Sequence, residues 1–186
     1  MQQVASLAKL PVLARITVED FHRMSELGIY DERAELIRGL VFAPPPMSPL
    51  HRWISQLLHD HIYGLAIPGC LVWRENPLTL HDSEPRPDLA VIAGEQSDFR
   101  DRHPSTAELV IEVAVTTLEA DPDKVAIYAE AGVKEYWIVL PIEQQVEVYR
   151  EPSDGQYRGR QVFREKDEIV CTAQPAIRVS LATLFA

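Results

Sequence analysis

The apolar positions alternate between a helical and a strand rhythm, and the breaks between them fall at Pro, Gly and small polar residues. Thr17 opens Thr-Val-Glu-Asp, a capping residue before an acidic first turn, which predicts a short helix through Phe21 and Met24 ending near Gly28. Glu35 to Ala43 reads as two short extended runs about a turn at Arg38-Gly39. Pro44 to Pro49 is a loop, because proline lacks the donor N–H. It delivers a helix capped by Ser48, with Pro49 at its first position. Trp53, Ile54, Leu57, Leu58 and Ile62 carry that helix to a stop at Gly64. Cys70 to Trp73 is a strand with a continuation towards Leu80, and Pro87 to Ala93 is another. Glu108 to Val115 is almost wholly apolar and β-branched, the pattern of a strand buried on both faces. Asp121-Pro122 starts a helix that runs to about Ala131 and closes at Gly132. Val133 to Leu140 is a central strand with Gln145 to Tyr149 beside it. A turn at Ser153-Asp-Gly155 leads into Tyr157 to Phe163, and Glu168 to Cys171 completes an antiparallel meander. Ser180 caps a last short turn.

Strands, a helix, then strands predict an α/β fold, a mixed β-sheet flanked by helices. No repeat or linker divides the 186 residues, so residues 1–186 read as a single domain, with 1–16 as an N-terminal arm packed on the core or on a neighbouring subunit. The net charge of −10 argues against a protein that coats nucleic acid or anionic membrane by bulk positive charge. It leaves room for an enzyme whose acidic site is neutralised by metal. Cys70 and Cys171 form no CxxC pair, which fits a reducing, cytoplasmic setting without disulfides or a thiolate zinc site. No apolar stretch approaches the roughly 18 residues that span a bilayer, and the N-terminus lacks the layout of a secretory signal.

Within this pattern Glu112 is out of place, a carboxylate inside Leu109-Val-Ile-Glu-Val-Ala-Val115. Full burial raises a carboxyl pKa by about 3–5 units, so the residue needs a cation, a paired base or a strong hydrogen-bond network. It is part of a functional site, a paired structural glutamate, or a glutamate pointing to solvent at a sheet edge. Asp88 opens a second apolar run after Pro87, where a turn-forming role is the blander alternative. Two carboxylates on neighbouring strands repel unless a divalent cation lies between them, and Mg²⁺ (or Mn²⁺) suits one or two carboxylates plus water. Lys124, in the first turn of the following helix, either reaches these strand ends or is a solvated lysine beside Asp121 and Asp123. His59 and His61, at i and i+2 on a helix, point apart and make a poor metal pair. The Glu-Tyr-Trp run at 135–137 reads as core packing.

Pro87-Asp88, Glu112 and a lysine resemble the PD-(D/E)xK nuclease signature, although Ala114 stands two positions after Glu112. A broader set resembles the Uma-two family of bacterial restriction-endonuclease-like proteins: Glu35-Leu-Ile-Arg-Gly, Pro44-Pro-Pro with His51 following, Arg86-Pro-Asp-Leu-Ala-Val91, Glu112 through Lys124, and Tyr128 to Val139. The resemblance spans roughly residues 15–150. It implies a restriction-endonuclease-like core with Asp88 and Glu112 as metal ligands and Lys124 as the basic partner. It makes Glu35 a further ligand or base, and it places His51 near the same cleft. It implies a Mg²⁺-dependent endonuclease hydrolysing DNA. A catalytically inactive binding or assembly module on the same fold is the alternative, and a hydrolase of another phosphate ester a weaker one. Cutting both strands calls for paired sites, so a homo-oligomer, dimer or higher, is the expected assembly. The chain departs from the family at Arg38, Val115 and Leu140, where acids are usual.

Overall fold

The computed structural model describes residues 13–43, 46–115 and 122–186, so the caps and turns expected at Pro44, Pro45 and Asp121, and most of the N-terminal arm, lie outside it. Helix α1 (Val18–Glu26) is capped by the Thr17 side chain, which accepts from the Asp20 N–H. A hairpin follows, β1 (Glu35–Ile37) and β2 (Leu40–Phe42). Its turn places Arg38 and Gly39 at φ of 52° and 75°. A side chain at Gly39 would meet Arg15 Cβ at 2.8 Å and the Ile16 carbonyl at 3.0 Å, so only glycine fits. Phe21, Ala34 and Leu36 form a small core that fixes this hairpin to α1.

Helix α2 (Pro49–Gly64) starts as the sequence predicts, with Ser48 as cap and Pro49 first. It stops at Gly64, as expected, with Leu65 as its cap and Ala66 taking the left-handed turn at φ 47°. Next come β3 (Cys70–Arg74), β4 (Leu89–Ala93), β5 (Leu109–Val113), α3 (Pro122–Glu130), β6 (Glu135–Leu140), β7 (Gln145–Ser153) and β8 (Gln156–Arg164). These strands make one six-stranded sheet in the order β3-β4-β5-β6-β7-β8. Only β5 and β6 are parallel, and α3 is the crossover that a parallel pair requires.

Two expectations are corrected. Strand β3 does not continue towards Leu80, because Glu75 turns into the left-handed region at φ 50° and its N–H bonds back to the Pro87 and Asp88 carbonyls. Glu168 to Cys171 does not extend the meander. It supplies β9 (Glu168–Val170), which pairs with β10 (Arg178–Ser180) in a separate two-stranded sheet, followed by α4 (Leu181–Leu184). Burial of Ile169 and Val179 against the α2 face draws that ribbon off the sheet edge.

The sheet is covered on both faces. Leu109, Ile111 and Val113 of β5 pack in one cluster with Ile54, Leu58 and Ile62 of α2. Val110 and Ala114 pack in the other, with Ile127 and Tyr128 of α3. Side chains along a strand alternate between faces, so Glu112 projects to the α3 side. No described helix is long and apolar enough to cross a membrane.

Candidate active site

Strand β5 points Glu112 at the first turn of α3, and the helix answers with a cation. Lys124 Nζ lies 2.9 Å from Glu112 Oε1 and 3.1 Å from both oxygens of Glu35. Tyr128, one turn further along α3, donates its hydroxyl to the same Glu112 Oε1 at 2.9 Å. Glu35 arrives on β1 from the far side of the sequence and also accepts the Arg86 N–H at 2.6 Å. Arg86 leads into Pro87-Asp88, so that hydrogen bond fixes the hairpin beside Asp88. Pairing of β4 with β5 stops at Leu89–Ile111. The Asp88 side chain then takes over as acceptor, its Oδ2 receiving the Val113 N–H at 2.7 Å. His51, from the first turn of α2, brings Nε2 to 3.2 Å from the same Oδ2.

The structure therefore brings together all five residues singled out in the sequence. Their side chains are 12–15% exposed, neither sealed nor on the open surface. His51 sits against Asp88 and is largely covered, although its place in the first turn of α2 is one where a histidine could face solvent. His59 and His61 stay apart from the cluster, bonding Asp60 and the Arg178 carbonyl. An open cavity of about 850 Å³ lined by His22, Arg102 and Glu108 contains none of the five.

Two carboxylates, Glu112 and Glu35, share one ammonium here, and Asp88 adds a third negative charge to the field at Glu112. Burial pushes the Glu112 carboxyl up; Lys124 opposes the shift, Asp88 and Glu35 reinforce it, and the result is about 7. Burial works against the Lys124 ammonium, but attraction to Glu112 and Glu35 overrides it and holds the group above the ordinary lysine value. The ion pairs with Glu112 and Glu35 therefore favour the charged form of Lys124.

A second carboxylate, missed in the sequence, gives the contrast. Glu135 on β6 is fully buried, yet burial is overcome by hydrogen bonds from Thr172, Trp137 and Arg150, which hold its carboxyl below the usual range. Glu135 is the satisfied structural acid; Glu112 is the strained one.

Arg38 shows what replaces the family's usual acid. It makes a bidentate pair with Glu130 near the end of α3, 2.6 Å to each oxygen, and also faces Asp82. The pair ties the hairpin carrying Glu35 to the helix carrying Lys124.

The raised Glu112 carboxyl yields a signed prediction. A carboxyl that binds its proton more tightly when folded contributes stability below its unfolded pKa and loses it as pH rises towards 7. The metal-free Glu112→Gln variant should melt with wild type at pH 5 and several degrees above it at pH 8. The limiting difference is about 3 kcal/mol. Calorimetric melts across that range check this, and a constant offset would contradict it.

The fold is a mixed α/β sheet flanked by helices, and its parallel pair β5–β6 is joined by the crossover helix α3. A solved structure from Anabaena variabilis ATCC 29413, described as a putative nuclease belonging to DUF820, shares this fold at TM-score 0.74. It is 20% identical, and the match covers 91% of this chain and 97% of that one. The model of the Uma2 family, described as putative restriction endonuclease, matches residues 18–182, and the chain belongs to that family. No curated protein matches in sequence. Family membership supports a nuclease function in general.

Proposed function

We propose that the chain is a metal-dependent endonuclease that hydrolyses phosphodiester bonds in DNA, with Mg²⁺ or Mn²⁺ held by Asp88 and Glu112. The observation that carries this reading is the distribution of free oxygens. Glu112 Oε1 takes two donors and Asp88 Oδ2 takes the Val113 N–H with His51 Nε2 3.2 Å away, while Asp88 Oδ1 and Glu112 Oε2 accept no hydrogen bond among the described residues. Glu35 has both oxygens engaged, which makes it the anchor of Lys124 more than a ligand. Among the described residues no group of three His, Cys, Asp or Glu side chains forms a ready-made metal cage. A pair of carboxylates with the remaining positions left to water is the arrangement Mg²⁺ tolerates best. The excess of carboxylate over cation, and the raised Glu112 carboxyl, fit a hard cation in this place.

When bound, the cation supplies charge neutralisation at the phosphodiester and acidifies water. The chain's own residues do the rest. Lys124, held in its charged form, orients the attacking water or stabilises negative charge developing on the phosphate oxygens. His51 and the Val113 N–H hold Asp88 in place. The protein should nick and linearise plasmid DNA with Mg²⁺ or Mn²⁺ and not with EDTA, as a homo-oligomer by light scattering. The net charge of −10 favours one rival, a non-catalytic binding or assembly module keeping the same centre. Calorimetric Mn²⁺ binding without cleavage of varied DNA and RNA selects that rival.

A further inference from the structure

The hydroxyl of Tyr128 is a donor at the centre to which the family resemblance assigns no role. Resting on the metal site proposed above, we propose that Tyr128 is a positioning residue that aims Glu112 Oε2 at the cation. Lys124 and Tyr128 stand at i and i+4 on α3, which places them on one face of the helix. Both donate to the same oxygen, Glu112 Oε1, at 2.9 Å. The carboxylate torsion of a glutamate is otherwise broad. Two donors converging on one oxygen fix its plane and leave the other oxygen open.

Lys124 alone does not do this, because it is also drawn to Glu35 at 3.1 Å. The Tyr128 hydroxyl has Glu112 as its hydrogen-bond partner, and the ring is fully buried, tilted against Tyr136 at 4.9 Å between centroids. Its direction is therefore set by the core. Asp88 echoes the arrangement with different parts: Oδ2 takes the Val113 N–H and has His51 Nε2 at 3.2 Å, and Oδ1 accepts no hydrogen bond among the described residues. Each carboxylate is thus gripped by one oxygen and offers the other. Groups that orient metal ligands in this way typically contribute about 10–100-fold to metal affinity.

The test is Mn²⁺ titration by calorimetry and by electron paramagnetic resonance on wild type, Tyr128→Phe and Tyr157→Phe. The last is the control, since it removes a hydroxyl that bonds the Val133 carbonyl at 2.8 Å, away from the centre. The expected result is a dissociation constant about tenfold higher for Tyr128→Phe, with Tyr157→Phe matching wild type. Equal affinity in all three, or equal weakening in both variants, overturns the positioning role while leaving the metal site standing. Wild type that takes up no Mn²⁺ overturns both.

Discussion

Exchanging Asp88 for Asn, or Glu112 for Gln, is expected to reduce Mg²⁺-dependent DNA cleavage by about a thousandfold or more. Each exchange removes one of the two charges that hold the cation, and metal assistance at a phosphodiester amounts to several kcal/mol. The amides are more informative than alanine. In Asp88→Asn the side-chain carbonyl would still accept the Val113 N–H, the bond that Asp88 takes over where β4 pairing ends. In Glu112→Gln it would still accept from Lys124 and Tyr128. The fold should therefore persist, and a thermal melt at pH 8 should show no loss of stability for Glu112→Gln. Cleavage within about tenfold of wild type in either variant would remove that residue from the proposed site.

The second large effect is on stability. Lys124→Met should destabilise the metal-free protein by about 3–5 kcal/mol at pH 8, the typical cost of taking one partner from a buried ion pair. Glu35 and Glu112, 13% and 14% exposed, would then face each other with no counter-charge. For a chain of 186 residues that corresponds to a melting temperature lower by roughly 10 °C. The loss should shrink towards pH 5, because protonating Glu112 removes the repulsion. Added Mn²⁺ should restore part of it, since binding to the folded state alone stabilises by mass action. A variant that melts with wild type across this pH range would mean that Lys124 is not the counter-ion of the cluster.

Much of this was legible in the sequence where one local rule decides the structure. Ser48-Pro49 starts α2 because cap and first-turn chemistry agree, and Asp154-Gly155 turns the β7–β8 hairpin because both residues accept positive φ. Glu112 stood out because a carboxylate inside an otherwise apolar, β-branched run breaks the pattern of a strand buried on both faces. What stayed hidden depends on contacts between distant segments. The end of β3 is set by the left-handed turn at Glu75, which no propensity signals. The β9–β10 ribbon leaves the sheet because Ile169 and Val179 bury against α2 and α4, a choice made by packing. Glu135 looked like part of a core run, and its partners Arg150 and Thr172 lie well downstream in the chain, Thr172 by 37 residues. Tyr128 carried the one signal that could have been read, its i+4 spacing from Lys124, but only beside a carboxylate already placed by the fold. Arg38 read as a departure from a family pattern; its clamp on Glu130 needed three-dimensional proximity to be seen.

Two half-satisfied carboxylates and an ammonium, gathered to accept a hard cation, are the centre of the proposed chemistry. Crystals grown with Mn²⁺ and measured at the manganese absorption edge address it directly. The account predicts an anomalous peak ligated by Asp88 and Glu112, with Lys124 still anchored to Glu35. A Mn²⁺ position elsewhere on the molecule, with these side chains unmoved and unligated, would contradict it.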